Sequence, residues 1–102
     1  MFQLVLQFRP WGAKGIEDLF SVETKLITAL GGMATVDGHD IGSNEANIFV
    51  HCVDPWGTLT YCVPVIDAAG LLPIFSAAHR PLDGDRYIRD WPVGNTAAFD
   101  VK

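Results

Sequence analysis

The sequence is poor in cysteine, in basic side chains and in uninterrupted apolar stretches. Its two cysteines, Cys52 and Cys62, are too few for a structural zinc site and do not form a C-x-x-C pair. We interpret them as two buried free thiols in a reducing compartment, which favours a cytoplasmic protein. A disulfide between them is the alternative.

Basic residues are outnumbered, since the chain has seven Lys and Arg against twelve Asp and Glu, for a formal net charge of −5. The basic residues are spread from Arg9 to Lys102 and form no stripe. A phosphate backbone or an anionic membrane surface requires clustered Lys and Arg. The charge therefore argues against nucleic acid and against a membrane surface as partners.

No apolar stretch is typical of a membrane span. The longest one, from Thr58 to Ala78, is interrupted by Pro64, Asp67 and Pro73. The first ten residues, MFQLVLQFRP, have no basic leader before them and no small-residue cleavage site after them, so we expect a strand there rather than a signal peptide.

Sequence motifs for common catalytic and cofactor sites are also missing. The chain contains no HExxH, EF-hand, G-x-G-x-x-G or P-loop pattern, and its serines stand in no nucleophile elbow. We therefore predict no cofactor, no metal ligand set and no catalytic residue.

The chain does have enough apolar material for one core. At 102 residues with 49% hydrophobic composition, it predicts a single domain spanning residues 1–102. Phe2 to Phe8 alternates apolar and polar side chains as a half-buried strand does. From Ile16 to Leu30 the apolar residues fall in one arc of a helix, which Gly31-Gly32 ends.

The remaining elements follow from turn and cap signals. Asp54-Pro55 is a typical helix start, and Gly70 ends that helix. The four predicted strands are Phe2–Phe8, Met33–Ile41, Asn47–Val53 and Leu71–Ala78. A turn at Gly42–Asn47 joins the second strand to the third. Arg86–Trp91 is a candidate for a short fifth strand.

The order β-α-β-β-α-β predicts an α+β, ferredoxin-like plait: a four-stranded antiparallel sheet with two helices on one face and a short C-terminal extension. The other sheet face is bare in this arrangement. Because the third strand is apolar on both faces at Ile48, Phe49 and Val50, we expect that face to be covered. Two covers are open: a second copy, giving a homodimer, and the chain's own segment Arg86–Lys102.

The stretch VDGHDIGSNEANIFVHCVDP, from Val36 to Pro55, resembles a family of small, uncharacterised bacterial proteins with a VDGHD-x-GS-x-E-x-NIF signature. The similarity extends more loosely to the helix carrying Glu23 and to Arg80 and Trp91-Pro92. The resemblance implies a ferredoxin-like fold and implies no activity. Its matching candidate positions are Glu23, Asp37, His39, Asp40 and Glu45.

These five residues are our candidate binding residues. A metal site using Asp37, His39 and Glu45 is one hypothesis, because hard cations take carboxylate ligands. Strand alternation places Asp37 and His39 on one face and Asp40 on the other, with Glu45 at a turn. The plainer interpretation is a solvated hairpin in which Asp and Asn serve turn geometry.

Glu23 breaks the pattern of its helix, since it lies in the apolar arc between Phe20 and Leu26. A buried carboxylate requires a partner, so we predict that Glu23 pairs with His39 or with backbone amides at residues 38–40. The favoured function is a small non-catalytic protein that binds a protein partner or small ligand. An acid-base enzyme using Glu23 and His39 is the first alternative.

Overall fold

The computed structural model describes residues 1–95 and 97–101. Thr96 and Lys102, which belong to the predicted covering segment, lie outside the described residues. The elements in chain order are β1 (Phe2–Phe8), α1 (Ile16–Leu30), β2 (Ala34–Gly42), β3 (Glu45–Cys52), α2 (Pro55–Ala68), a 3-10 turn (Leu72–Ile74), β4 (Phe75–Pro81) and β5 (Ile88–Trp91). In this part of the chain, no helix has the length and apolar character to cross a membrane.

The protein is α+β, with two helices and one five-stranded antiparallel sheet in the order β2-β3-β1-β4-β5. The predicted count of four strands is therefore one too few. The additional strand is β5, which pairs with β4 through Ala78 opposite Arg89 and His79 opposite Ile88. The candidate fifth strand at Arg86–Trp91 is thus present as β5, over Ile88–Trp91, and three register pairs join it to β4.

The β2–β3 hairpin closes through a two-residue turn. Ser43 and Asn44 both have positive φ, 52° and 60°, which the favoured tight hairpin turns require. The Asn44 carbonyl accepts the Trp11 amide at 2.9 Å, and its side-chain oxygen accepts the Gly12 amide at 2.6 Å. This turn therefore also holds the loop between β1 and α1, and β3 begins at Glu45, two residues before the predicted start.

The fourth strand begins later than the sequence predicts. Leu72–Ile74 forms the 3-10 turn, and β4 covers Phe75–Pro81 rather than residues 71–78. Pro73 has no amide for a sheet ladder and suits the start of a helical turn, which explains the delay. β4 also ends later than predicted, since residues 79–81 pair with the start of β1.

Both helices pack on one face of the sheet, and the core lies between the helices and that face. The buried side chains come from alternate positions of the strands and from one side of each helix. The sheet contributes Leu4, Leu6, Phe8, Ile48, Val50, Phe75 and Ala77 to the core. The helices contribute Leu19, Leu26, Leu59 and Ile66. Residues on this side are described below as lying on the helix face.

The opposite side, the outer face, is covered in part by the chain itself. Val5 and Ala78 on this face are fully buried. Residues 97–101, the C-terminal segment, cross it: Gln7 donates to the Asp100 carbonyl at 2.9 Å, and Arg89 donates to the Ala97 and Ala98 carbonyls at 3.1 Å. The C-terminal segment, one of the two predicted covers, therefore contacts β1 and β5 on this face.

Candidate functional site

Glu23 and His39 meet where α1 crosses the edge strand β2. His39 Nδ1 lies 3.0 Å from Glu23 Oε2. An ionised carboxylate only accepts hydrogen bonds, so Nδ1 carries the proton in that state. The Phe20 ring packs edge-on against the imidazole with centroids 5.0 Å apart. The predicted pairing of Glu23 with His39 is confirmed.

The core covers only part of the α1 apolar arc. Leu19, Leu26 and Leu30 are buried, whereas Phe20 is 45% exposed and Ile27 is 56% exposed. The Glu23 side chain is 15% exposed, which places it at the boundary of the buried arc rather than in its middle. The Glu23–His39 pair therefore lies at the edge of the core, partly exposed to solvent, and not inside the core.

A β-bulge separates two of the candidate residues. The β2–β3 register pairs Val36 with Val50 and Gly38 with Phe49, so Asp37 is an extra residue in β2. His39 consequently lies on the helix face beside Glu23, whereas Asp37 lies on the outer face, 3.4 Å from His51 Nε2. The expected shared face for Asp37 and His39 is wrong, because simple alternation does not hold across a bulge.

Glu45 belongs to a polar network on the outer face that is buried at Gln7, Glu45 and Asn47 and exposed at Arg9 and Asp40. Its side chain is buried, pairs with the Arg9 guanidinium and accepts from Asn47 Nδ2 at 2.8 Å. Asn47 Nδ2 also donates to Asp40 Oδ1 at 2.9 Å, and Asn47 Oδ1 accepts from Gln7 at 3.1 Å. These five residues, Gln7, Arg9, Asp40, Glu45 and Asn47, are the Asn47 network.

Sequence reasoning identified Asp40 and Glu45 but missed Gln7, Arg9 and Asn47. A signal for Gln7 was available, since it lies on the polar side of the alternation in β1. Its partner Asn47 is directly opposite it in the register of β1 and β3. That register is a long-range fact, so the alternation alone could not show that the two amides meet.

Each of the three histidines in the chain lies beside a carboxylate. His79 Nδ1 lies 2.6 Å from Asp90 Oδ2, and Asp90 is buried. Burial raises the pKa of Asp90, and the hydrogen bond from His79 offsets part of that rise. The His79 side chain is mostly buried, because β4 extends beyond it and β5 brings Asp90 alongside.

Neither cysteine offers an activated thiol. Cys52 and Cys62 are free and buried, as the sequence predicts. Burial raises the pKa of Cys62 to about 12, and burial likewise raises that of Cys52. A nucleophilic thiol requires a lowered pKa, so the structure gives no support for nucleophilic catalysis by either cysteine.

The residues of the metal hypothesis do not converge. Asp37 and Glu45 lie on the outer face, and His39 lies on the helix face. Within residues 1–95 and 97–101, no group of three His, Cys, Asp or Glu side chains has a metal-binding arrangement. Glu45 is also paired with the Arg9 guanidinium.

A cavity of about 240 Å³ lies away from all five candidate residues. It opens between α1 and the end of α2, and Lys14, Ser21 and Lys25 are among its lining residues. Glu23 and His39 do not line it. A substrate held in this cavity would not contact the carboxylate and imidazole of the pair.

No protein-family model, curated protein or solved structure matches the chain. The resemblance to the uncharacterised bacterial family therefore stays a prediction, and the candidate site rests on its own geometry.

We expect Glu23→Ala to lower the free energy of unfolding by about 1 kcal/mol and Glu23→Gln by only a few tenths of that. The amide of Gln keeps an oxygen that accepts from His39, whereas Ala leaves the imidazole without its partner. Urea unfolding of both variants measures the difference. Glu17→Ala, at an exposed glutamate of the same helix, is the control. Equal losses from Ala and Gln would contradict a hydrogen-bonding role.

Proposed function

We propose that this chain is a small non-catalytic binding protein that contacts a protein partner through one surface of α1 and β2. The α1–β2 surface consists of Ile16, Phe20, Glu23 and Ile27 on α1 and His39 and Ile41 on β2. The observation that carries the proposal is the uncovered half of the α1 apolar arc. Phe20 and Ile27 point to solvent beside an edge strand, where a second surface can reach them.

Burial of the α1–β2 surface by a partner would contribute favourably to the free energy of binding. Full burial of a large apolar side chain contributes about 1.5–3 kcal/mol, and the α1–β2 surface carries four that are more than a third exposed. The Glu23–His39 pair lies among them and already satisfies its own polar atoms. A partner can therefore cover the apolar side chains without leaving an unpaired charge beneath it.

The charges around this surface indicate the chemistry of the partner. Glu17 lies on α1 next to Ile16, and β2 carries no Lys or Arg. Asp37 and Asp40 lie on the opposite, outer face of β2. The single basic residue of α1, Lys25, lines the cavity on the other side of the helix. An apolar patch with basic residues around it is therefore the complementary partner surface. The bulge at Asp37 disfavours addition of a strand to β2, so we expect contact through side chains.

Acid-base catalysis by Glu23 and His39 is the second candidate. A carboxylate and an imidazole 3.0 Å apart and partly exposed form a couple that can transfer protons. What weighs against it is the position of the pair at the rim of the core, outside the cavity that the described residues form.

The finer description of the fold and setting is part of the same proposal. The order β2-β3-β1-β4 and the succession of elements support a ferredoxin-like plait extended by one strand. Two free, buried thiols support a cytoplasmic location. A homodimer through the outer face would use the part around Phe49 and His51, both half-buried, since the hydrogen bonds of residues 97–101 to the sheet go to Gln7 and Arg89.

A photo-reactive benzoylphenylalanine at position 20 tests the proposed surface in cells that naturally make the protein. We expect one discrete crosslinked adduct from position 20. Tyr61, an equally exposed aromatic on α2, is the matched control and should yield none. Adding Ile27→Asp to the position 20 variant should reduce the adduct several-fold, because it places a charge in the contact.

Three outcomes would count against this proposal. Equal adducts from positions 20 and 61 would indicate random encounter. The absence of an adduct from position 20 would contradict partner binding at the α1–β2 surface. An adduct with twice the mass of the chain would identify the partner as a second copy of this chain rather than a basic protein.

A further inference from the structure

The cavity between α1 and the end of α2 has a polar rim and an apolar floor. Its volume of about 240 Å³ is below the range typical of drug-sized ligands, so only a small molecule fits. Lys14, Asp18 and Lys25 provide charged groups, and Val22 and Leu71 provide the apolar part. The cavity is separate from the α1–β2 surface.

The helix periodicity explains why these side chains share one opening. Asp18, Val22 and Lys25 are spaced by four and three residues, so they lie along one side of α1. Lys14 comes from the loop just before the helix, and Leu71 follows the turn that ends α2. Phe20 and Ile27 lie on a different side of the helix, toward β2.

The lysines at this opening are free to bind a ligand. Among residues 1–95 and 97–101, neither Lys14 nor Lys25 forms an ion pair with a carboxylate. Lys14 instead lies 6.0 Å from the centre of the Trp11 ring. Two ammonium groups at one small cavity, in a chain of net charge −5, create a local site for an anion.

Asp18 adds a requirement of the opposite sign. Its Oδ2 accepts the Gly15 amide at 2.9 Å, and that bond leaves Oδ1 for a second donor. A ligand with only negative charge would meet this carboxylate unfavourably. A ligand that also carries an ammonium group would satisfy it with a charge-assisted hydrogen bond.

We propose that this cavity binds a free α-amino acid with a small apolar side chain. The ligand carboxylate lies between Lys14 and Lys25, its ammonium group donates to Asp18, and its side chain packs on Val22 and Leu71. Each charged group of the rim then has a partner of opposite sign, and the apolar floor is covered.

Titration of the intact protein with three matched probes, followed by amide chemical shifts, tests this proposal. The probes are L-leucine, 4-methylpentanoate, which lacks the amine, and 3-methylbutylamine, which lacks the carboxylate. We expect L-leucine to bind about tenfold more tightly than either, since each deletion removes one charge-assisted contact. The shifted amides should lie at residues 14–25 and 69–71.

Variants connect the binding to the named side chains. Lys25→Gln should weaken L-leucine binding about tenfold and should not weaken the binding of 3-methylbutylamine, which has no carboxylate for Lys25 to hold. Arg86→Gln removes the same charge from an exposed position remote from the cavity in sequence and should change neither. Thermal unfolding checks that both variants fold.

The proposal is overturned by any of three results. These are no saturable binding of L-leucine, equal binding of 4-methylpentanoate, or an L-leucine affinity that Lys25→Gln does not alter.

Discussion

Replacing Asn47 by aspartate is expected to lower the free energy of unfolding by about 3 kcal/mol at pH 7. Asn47 is buried, and its Nδ2 donates to carboxylates of both Asp40 and Glu45. The substitution removes both donations and introduces a third negative group between the two carboxylates. Arg9 then faces three carboxyl groups in the Asn47 network, two of them at the buried positions 45 and 47.

Urea unfolding at pH 7 and at pH 4 measures this effect. The loss should be smaller at pH 4, because the introduced carboxyl group can take a proton there and donate again. Asn95→Asp is the matched control: it makes the same change of charge at an exposed residue whose side-chain oxygen accepts from Ala97, and Asp retains that oxygen. A loss from Asn47→Asp no larger than the control, or one independent of pH, would show that the network does not stabilise the fold.

Replacing Asp90 by alanine is expected to lower the free energy of unfolding by about 2 kcal/mol, because it leaves the mostly buried His79 imidazole without the carboxylate 2.6 Å away. Asp90→Asn should cost less, since its side-chain oxygen still accepts from Nδ1. The two variants therefore separate loss of the hydrogen bond from loss of the charge.

Asp90 should also make stability depend on pH in an unusual direction for an acid. Its pKa is raised by burial above the ordinary value of 3.8, so the carboxyl group stabilises the fold most when protonated. That contribution is complete below pH 3.8 and is lost as the pH rises through the pKa of the folded protein. Most carboxylates with partners behave in the opposite way.

The difference in unfolding free energy between wild type and Asp90→Asn isolates this contribution. From pH 3.5 to pH 5.5, below the usual range of histidine, wild type should lose stability relative to the Asn variant. Asp83→Asn, at an exposed turn residue, should show no such trend. A relative gain by wild type as the pH rises would mean that the bond from His79 outweighs burial.

The regular elements were largely readable from local patterns. The alternation of Phe2–Phe8 and the arc of Ile16–Leu30 predicted β1 and α1 with the bounds that the structure has. Asp54-Pro55 marked the start of α2, and the Asp54 side chain does accept the Gly57 amide. The largest errors in element bounds occurred at Leu72–Ile74 and in β4, where apolar composition without periodicity could not separate a 3-10 turn from a strand.

The candidate site was predicted in one part and missed in another. Glu23 was identifiable because a carboxylate inside an apolar arc needs a partner, and His39 was the imidazole within reach. The bulge at Asp37, the pair of His79 with Asp90 and the Asn47 network were not identifiable. Each depends on which residues of distant strands stand opposite one another, and strand alternation does not determine that register.

The sequence by itself determined the α+β class, the first strand, both helices, the free thiols and the need of Glu23 for a partner. These follow from local periodicity, caps and the free energy of burying a charge, all of which act within a few residues. Only the tertiary structure decided how much of the α1 arc is covered, which side of β2 each acidic residue takes, and that Lys14 and Lys25 share a cavity. Those outcomes depend on long-range pairing, where burial and hydrogen bonding between distant segments choose one arrangement from many that the local pattern permits.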